Sequence, residues 1–146
     1  MQRALLPLVL WVVASVASPA APRAAEYIGE AQLATELGGH TIKGYYTRNK
    51  VSFVEVYLPG GRITYKDDDK ADGGRWSVRD GTFCTFYDTI NGGCWHVLKR
   101  SVNCYEFFPA DAFAGPVTRE TLLALEPHAR AARDGERVSC DQWFGS

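Results

Sequence analysis

Cys84 and Cys94 stand on either side of a turn-forming run, Asp88 to Gly93, and the residues flanking that run alternate in character as strand residues do. In the first arm Phe83, Thr85 and Tyr87 share one face while Cys84 and Phe86 share the other; in the second, Cys94, His96 and Leu98 oppose Trp95 and Val97. The midpoint between the cysteines falls inside the turn. A hairpin register can therefore place them opposite one another, where a cross-strand disulfide is feasible if the Cα separation is about 5.5 Å. Such a staple confines this stretch to antiparallel β structure.

The same period of two recurs along most of the chain. Thr41–Tyr46 and Ser52–Leu58 are rich in β-branched and aromatic residues, and Pro59-Gly60-Gly61 turns the second back into Arg62–Tyr65. Arg75–Arg79, Thr82–Tyr87, Cys94–Lys99 and Val102–Phe108 follow, separated by Gly, Asp or Asn. Seven short strands joined by tight turns predict a mainly β fold, an antiparallel meander. A sheet of that size curls into a small lipocalin-like barrel or half-barrel, because closure buries one face and removes exposed edges. After Pro109 the pattern changes. Thr118 is an N-cap for helix formers ending in Leu125, and Pro127 opens a second turn, so a helical segment is expected over about residues 118–133. Its stripe of Leu122, Leu125 and Ala129 is expected to close a mouth of the sheet or cover its edge.

The beginning of the chain reads as targeting. Met1-Gln2-Arg3 is a short positive start, Ala4 to Ala17 is an apolar run of about 14 residues, and small residues follow. That run is shorter than the about 20 residues a membrane-spanning helix needs. Residues 1–20 are thus expected to be a signal peptide cleaved somewhere within 17–25, leaving residues 26–146 as a single disulfide-stabilised domain, periplasmic or secreted, with no stable membrane insertion after cleavage. Four cysteines in an exported chain this small read as two disulfides. No Cys-x-x-Cys pair is present, so no metal site is expected. If Cys84 pairs with Cys94, Cys104 is left for Cys140; Cys94 with Cys104 is the competing arrangement, since both flank a hairpin around Lys99 and Arg100. With 16 basic and 17 acidic side chains and a pI near 6.3, nothing predicts a nucleic-acid partner.

The stretch from Thr41 to Phe108 resembles a known family. Its elements are a Thr-x-x-Gly start, a Tyr-rich strand ending in Pro-x-Gly, Gly-x-Trp at Gly74 to Trp76, and Cys-x-x-Tyr followed by Gly-Cys-Trp. These look like the small exported alphaproteobacterial proteins grouped as domain of unknown function nine-nine-five, most specifically at Gly74, Trp76, Cys84, Tyr87, Cys94 and Trp95. The resemblance implies an exported β-domain with a Cys84–Cys94 bridge, and it implies no activity. Cys104, Cys140 and the helical tail depart from the family's pattern.

No catalytic residue is nominated. The chain has no Gly-x-Ser-x-Gly elbow, no His-Glu-x-x-His helix, no phosphate loop and no thioredoxin-type pair, so it is read as non-enzymatic and without cofactor. His96 is read as packed or surface-lying, and Glu55 and Glu106, alternating with apolar neighbours, as solvent-facing. The acidic run Lys66–Gly73 fails the calcium-loop template, because Lys70 takes a ligand position and no distal Glu follows; it reads as a solvated loop. Aromatic content is the functional hint: Trp76, Trp95 and Trp143 join seven Tyr and seven Phe. Gly74 and Trp76 are assigned structural roles, with Trp76 plugging the closed end of the sheet and Trp95 packing beside the disulfide. Two functions then stand ahead of catalysis. A small apolar or amphipathic ligand is enclosed in a pocket lined by Tyr45, Phe53, Tyr57 or Phe86. Alternatively, exposed aromatics such as Tyr46, Tyr65 or Trp143 contact another envelope protein, as an interaction or inhibitor module.

Overall fold

The computed structural model describes residues 24–137 and Cys140. The expected signal segment 1–20 and the tail carrying Trp143 lie outside the described residues. The elements are β1 (Glu26–Tyr27), α1 (Glu30–Leu37), β2 (Thr41–Tyr46), β3 (Ser52–Leu58), β4 (Arg62–Asp67), β5 (Ala71–Arg79), β6 (Thr82–Tyr87), β7 (Gly93–Ser101), β8 (Cys104–Pro109), α2 (Arg119–Leu123) and β9 (Ala129–Arg133), with a 3-10 turn at Ala110–Ala112.

Strands β2 to β9 pair antiparallel in chain order, and β9 pairs back to β2, so eight strands close an up-and-down barrel. The turns have the chemistry the geometry requires. Gly60 and Gly61 carry φ of 84° and 83° between β3 and β4, while Asp80 and Gly81, at 51° and 70°, make the two left-handed positions of a tight hairpin turn between β5 and β6. Gly74 meets a different demand. A Cβ there would lie 2.0 Å from the carbonyl oxygen of Phe86, so β5 and β6 approach at a spacing only glycine permits.

Each of the seven strands expected from the sequence is present, and the fold is a closed barrel rather than a half-barrel. The eighth overturns an expectation: residues 129–133, read as the end of a helix, form β9. Helix α2 stops at Leu123 and Pro127 separates it from the strand. The sequence Ala-Arg-Ala-Ala-Arg favours helix locally, but both neighbouring edges, β2 and β8, need a partner, and the ladders they offer outweigh that preference. The Leu122, Leu125 and Ala129 stripe accordingly does not form. Leu122 packs against Leu98 and Phe108 on the outer wall, Leu125 is exposed, and Ala129 turns into the barrel. The Thr118 cap is as expected, its hydroxyl accepting from the Thr121 amide. The acidic run is also shorter as a loop than expected, because β4 reaches Asp67 and β5 begins at Ala71.

Helix α1 is not among the elements expected from the sequence, although Leu33 and Leu37, four residues apart among good helix formers, carry its signature. Both leucines are fully buried with Ile28, Ile42, Tyr57, Ile63 and Phe83, and they stopper one end of the barrel. Trp76 is partly buried against this cluster. Its ring stacks on Phe83 at 5.4 Å and lies where a Cβ on Gly38 would stand, and its Nε1 donates to the Leu58 carbonyl at 2.8 Å.

Two disulfides fasten the wall. Cys84–Cys94 joins opposed positions of β6 and β7, with a Cα separation of 4.0 Å, and Cys104–Cys140 ties β8 to the C-terminal segment at 4.9 Å. The competing Cys94–Cys104 arrangement is thereby ruled out.

Candidate binding site

The alternation of each strand decides what faces the interior. In β3, Phe53, Glu55 and Tyr57 point inward; in β6, Phe83, Thr85 and Tyr87 do, leaving Cys84 and Phe86 outside. Toward the end opposite α1 the inward side chains do not fill the barrel. A cavity of about 270 Å³ remains, lined by Tyr46, Phe53, Glu55, Tyr57, Thr85, Tyr87, Trp95, Phe107, His128 and Ala129 together with the β6–β7 loop residues Ile90 to Gly92. Asn91 and Gly92 are exposed at its rim.

Two of the four pocket residues expected from the sequence, Phe53 and Tyr57, line this cavity. Tyr45 and Phe86 do not. They occupy alternate positions to Tyr46 and Tyr87, so the pleat sends them outward: Tyr45 lies under the Lys50 ammonium at 5.3 Å, and Phe86 is 45% exposed beneath the Arg79 guanidinium. Tyr46 and Tyr65, expected to be exposed, are inside, and Tyr65 is buried. Trp95, expected beside the disulfide, projects to the opposite face from Cys94 and forms part of the cavity wall. Its Nε1 donates to Thr85 Oγ1 at 3.2 Å, and its ring stacks on His128 at 4.9 Å.

Glu55 is the residue that sequence reasoning placed on the wrong side. It is buried within the barrel, and so is Glu106 in the wall. Strand β3 reads Ser-Phe-Val-Glu-Val-Tyr-Leu, with apolar side chains on both faces, so its polarity alone does not say which side Glu55 occupies. The Phe53 and Tyr57 parity was the available signal. The Glu55 carboxyl accepts one hydrogen bond on each oxygen, from the hydroxyls of Tyr57 and Tyr87. Burial pushes its pKa up, and the two tyrosine bonds offset only part of that rise. Burial likewise raises Tyr57 and Tyr87, with the Glu55 charge adding to the effect, so both remain neutral donors. Nearby, Tyr46 donates to the Tyr65 hydroxyl at 3.2 Å, which donates to Asp67 at 2.7 Å. Burial lowers the pKa of His128, favouring the neutral imidazole at the cavity wall.

Asp72, part of the acidic run, organises the rim. Its carboxylate accepts from the Thr89 amide and hydroxyl, both at 2.9 Å, and from the Ile90 amide at 3.0 Å, fixing the loop that borders the opening. His96 is packed on the outer wall, Nδ1 bonded to the Tyr27 hydroxyl at 2.9 Å. Among the described residues no group of His, Cys, Asp and Glu is placed to hold a metal, and no helix is long and apolar enough to cross a membrane.

Comparison of the chain with protein-family models, with curated proteins and with solved structures gives no match.

Proposed function

We propose that this is an exported, periplasmic binding protein that holds a small, largely hydrocarbon ligand inside the barrel. The observation that carries the reading is the cavity itself: about 270 Å³ and walled mainly by aromatic rings. A 150 Å³ apolar cavity admits benzene, so this one suits about a substituted ring or a short chain. The two disulfides support an oxidising compartment. Family membership with the small exported proteins rests on Gly74, Trp76, Cys84, Tyr87, Cys94 and Trp95 and remains part of this proposal.

Catalysis is placed behind binding. Glu55 and His128 both border the cavity, but Glu55 bonds to the two tyrosines and His128 stacks on Trp95, so no hydrogen-bonded acid–base pair is assembled. The envelope-protein reading loses Tyr46 and Tyr65 as surface anchors, since both point inward.

The test uses Trp95 as reporter. Titrating n-propylbenzene is expected to give a saturable change in tryptophan fluorescence that Trp95→Phe removes. Ala129→Leu, which adds bulk to the cavity wall, is expected to weaken binding at least tenfold. Equal binding of n-propylbenzene by the Ala129→Leu protein, or failure to bind both n-propylbenzene and charged phenylalkyl ligands of similar size, would refute ligand carriage.

A further inference from the structure

Three buried or half-buried glutamates permit a direct comparison. Glu106, with its side chain 1% exposed in the wall, is held by Arg100 at 2.8 Å and Arg130 at 2.9 Å. Glu36, on α1, meets Lys99 at 2.8 Å and Arg133 at 3.8 Å, and also accepts from the Tyr105 hydroxyl at 2.7 Å. Glu55 is buried too, yet among the described residues no lysine, arginine or histidine pairs with it. A carboxylate removed from water without a countercharge is costly, and a cation that enters the cavity would supply one.

The geometry around Glu55 suits such an entrant. Each carboxylate oxygen takes one tyrosine hydroxyl, which fixes the group's orientation and leaves acceptor capacity on both oxygens. Tyr46, Phe53, Trp95 and Phe107 are among the wall residues, and aromatic faces attract cations that have shed their water. Asp67 and Asp72, bound to the turns at this end of the barrel, add negative charge there.

Building on the ligand-binding reading, we propose that the cavity selects a small primary amine, its ammonium seated on the Glu55 carboxylate between Tyr57 and Tyr87 and its hydrocarbon against Tyr46, Phe53 and Trp95. An acid of the same shape would set two carboxylates together, which repel unless a proton is taken up, so it is the weakest ligand of the three. A neutral hydrocarbon fills the space without supplying the missing charge.

Three probes that share a phenyl ring on a two-carbon chain and differ in the end group separate these effects: 2-phenylethylamine, n-propylbenzene and 3-phenylpropanoate, titrated near neutral pH against the disulfide-intact chain without its first 20 residues. The amine is expected to bind at least tenfold more tightly than the hydrocarbon, and the carboxylate more weakly than either. Glu55→Gln is expected to lower amine affinity tenfold or more relative to n-propylbenzene affinity, and an unchanged circular dichroism spectrum shows that the variant is folded. Glu55→Met, apolar and of similar size, repeats the comparison should the glutamine disturb the tyrosine pair. Equal binding of amine and hydrocarbon, unaffected by either substitution, would overturn the amine assignment and leave ligand carriage intact. Preferential binding of 3-phenylpropanoate would overturn it as well. If none of the three binds, both proposals fall.

Discussion

At the scale of single residues, Glu55 makes folding and pH interdependent. Burial raises its carboxyl pKa in the folded state, so the native protein binds this proton more tightly than the unfolded chain does. The stability it contributes is therefore full below the ordinary glutamate value, about 4.3, and is lost as pH rises through the raised value. Glu36 acts in the opposite direction. Burial opposes its charge, but the bonds from Lys99 and Tyr105 and the charges of Lys99 and Arg133 outweigh burial and lower its pKa, so its contribution is lost as pH falls. Because Glu36 is common to both proteins, comparing wild type with Glu55→Gln isolates Glu55. The melting temperature of the variant relative to wild type is expected to rise as pH is taken from about 4 toward neutrality. A difference independent of pH would contradict the burial argument. The position of Glu55 was readable only from its parity with Phe53 and Tyr57, and the valines on the opposite face obscured it.

At the scale of elements, α1 and β9 have complementary tasks: one closes an end of the barrel and the other closes its circumference. Leu37 is fully buried against interior residues of the barrel, so Leu37→Ala is expected to cost about 2–5 kcal/mol, measured as a shift in urea midpoint at unchanged m-value. A loss below 1 kcal/mol would mean that α1 is not part of the cooperative core. Strand β9 illustrates the opposite balance between local and distant forces. Ala131 is fully buried opposite Gly44 on β2 and Tyr105 on β8, where its small side chain leaves room for Phe53 to lie over Gly44. Alanine promotes helix in isolation, but here it is the size that fits between a glycine and large rings. That fit depends on Gly44, Phe53 and Tyr105, distant from Ala131 in the chain, which no local pattern contains.

At the scale of the whole molecule, the disulfides act on the unfolded chain as much as on the barrel. Cys84–Cys94 spans 10 residues and Cys104–Cys140 spans 36. The chain-entropy relation then gives about 2.7 kcal/mol for the first and about 3.8 kcal/mol for the second. Removing the Cys104–Cys140 pair by serine substitution is expected to destabilise the protein more than removing Cys84–Cys94, by about 1 kcal/mol in urea unfolding. The reverse order would show that native contacts around β6 and β7, rather than loop closure, dominate. By itself the sequence determined the seven strands, their turns and the cysteine opposition at Cys84 and Cys94, because period-two alternation, left-handed turn positions and hairpin midpoints are local properties of the chain. Only the tertiary structure decided that 129–133 is a strand, that α1 is a stopper, and that Tyr46, Glu55 and Trp95 face one cavity while Tyr45 and Phe86 do not. Alternation names two faces of a strand without saying which is inner; closure of the barrel makes that choice once for all eight strands together.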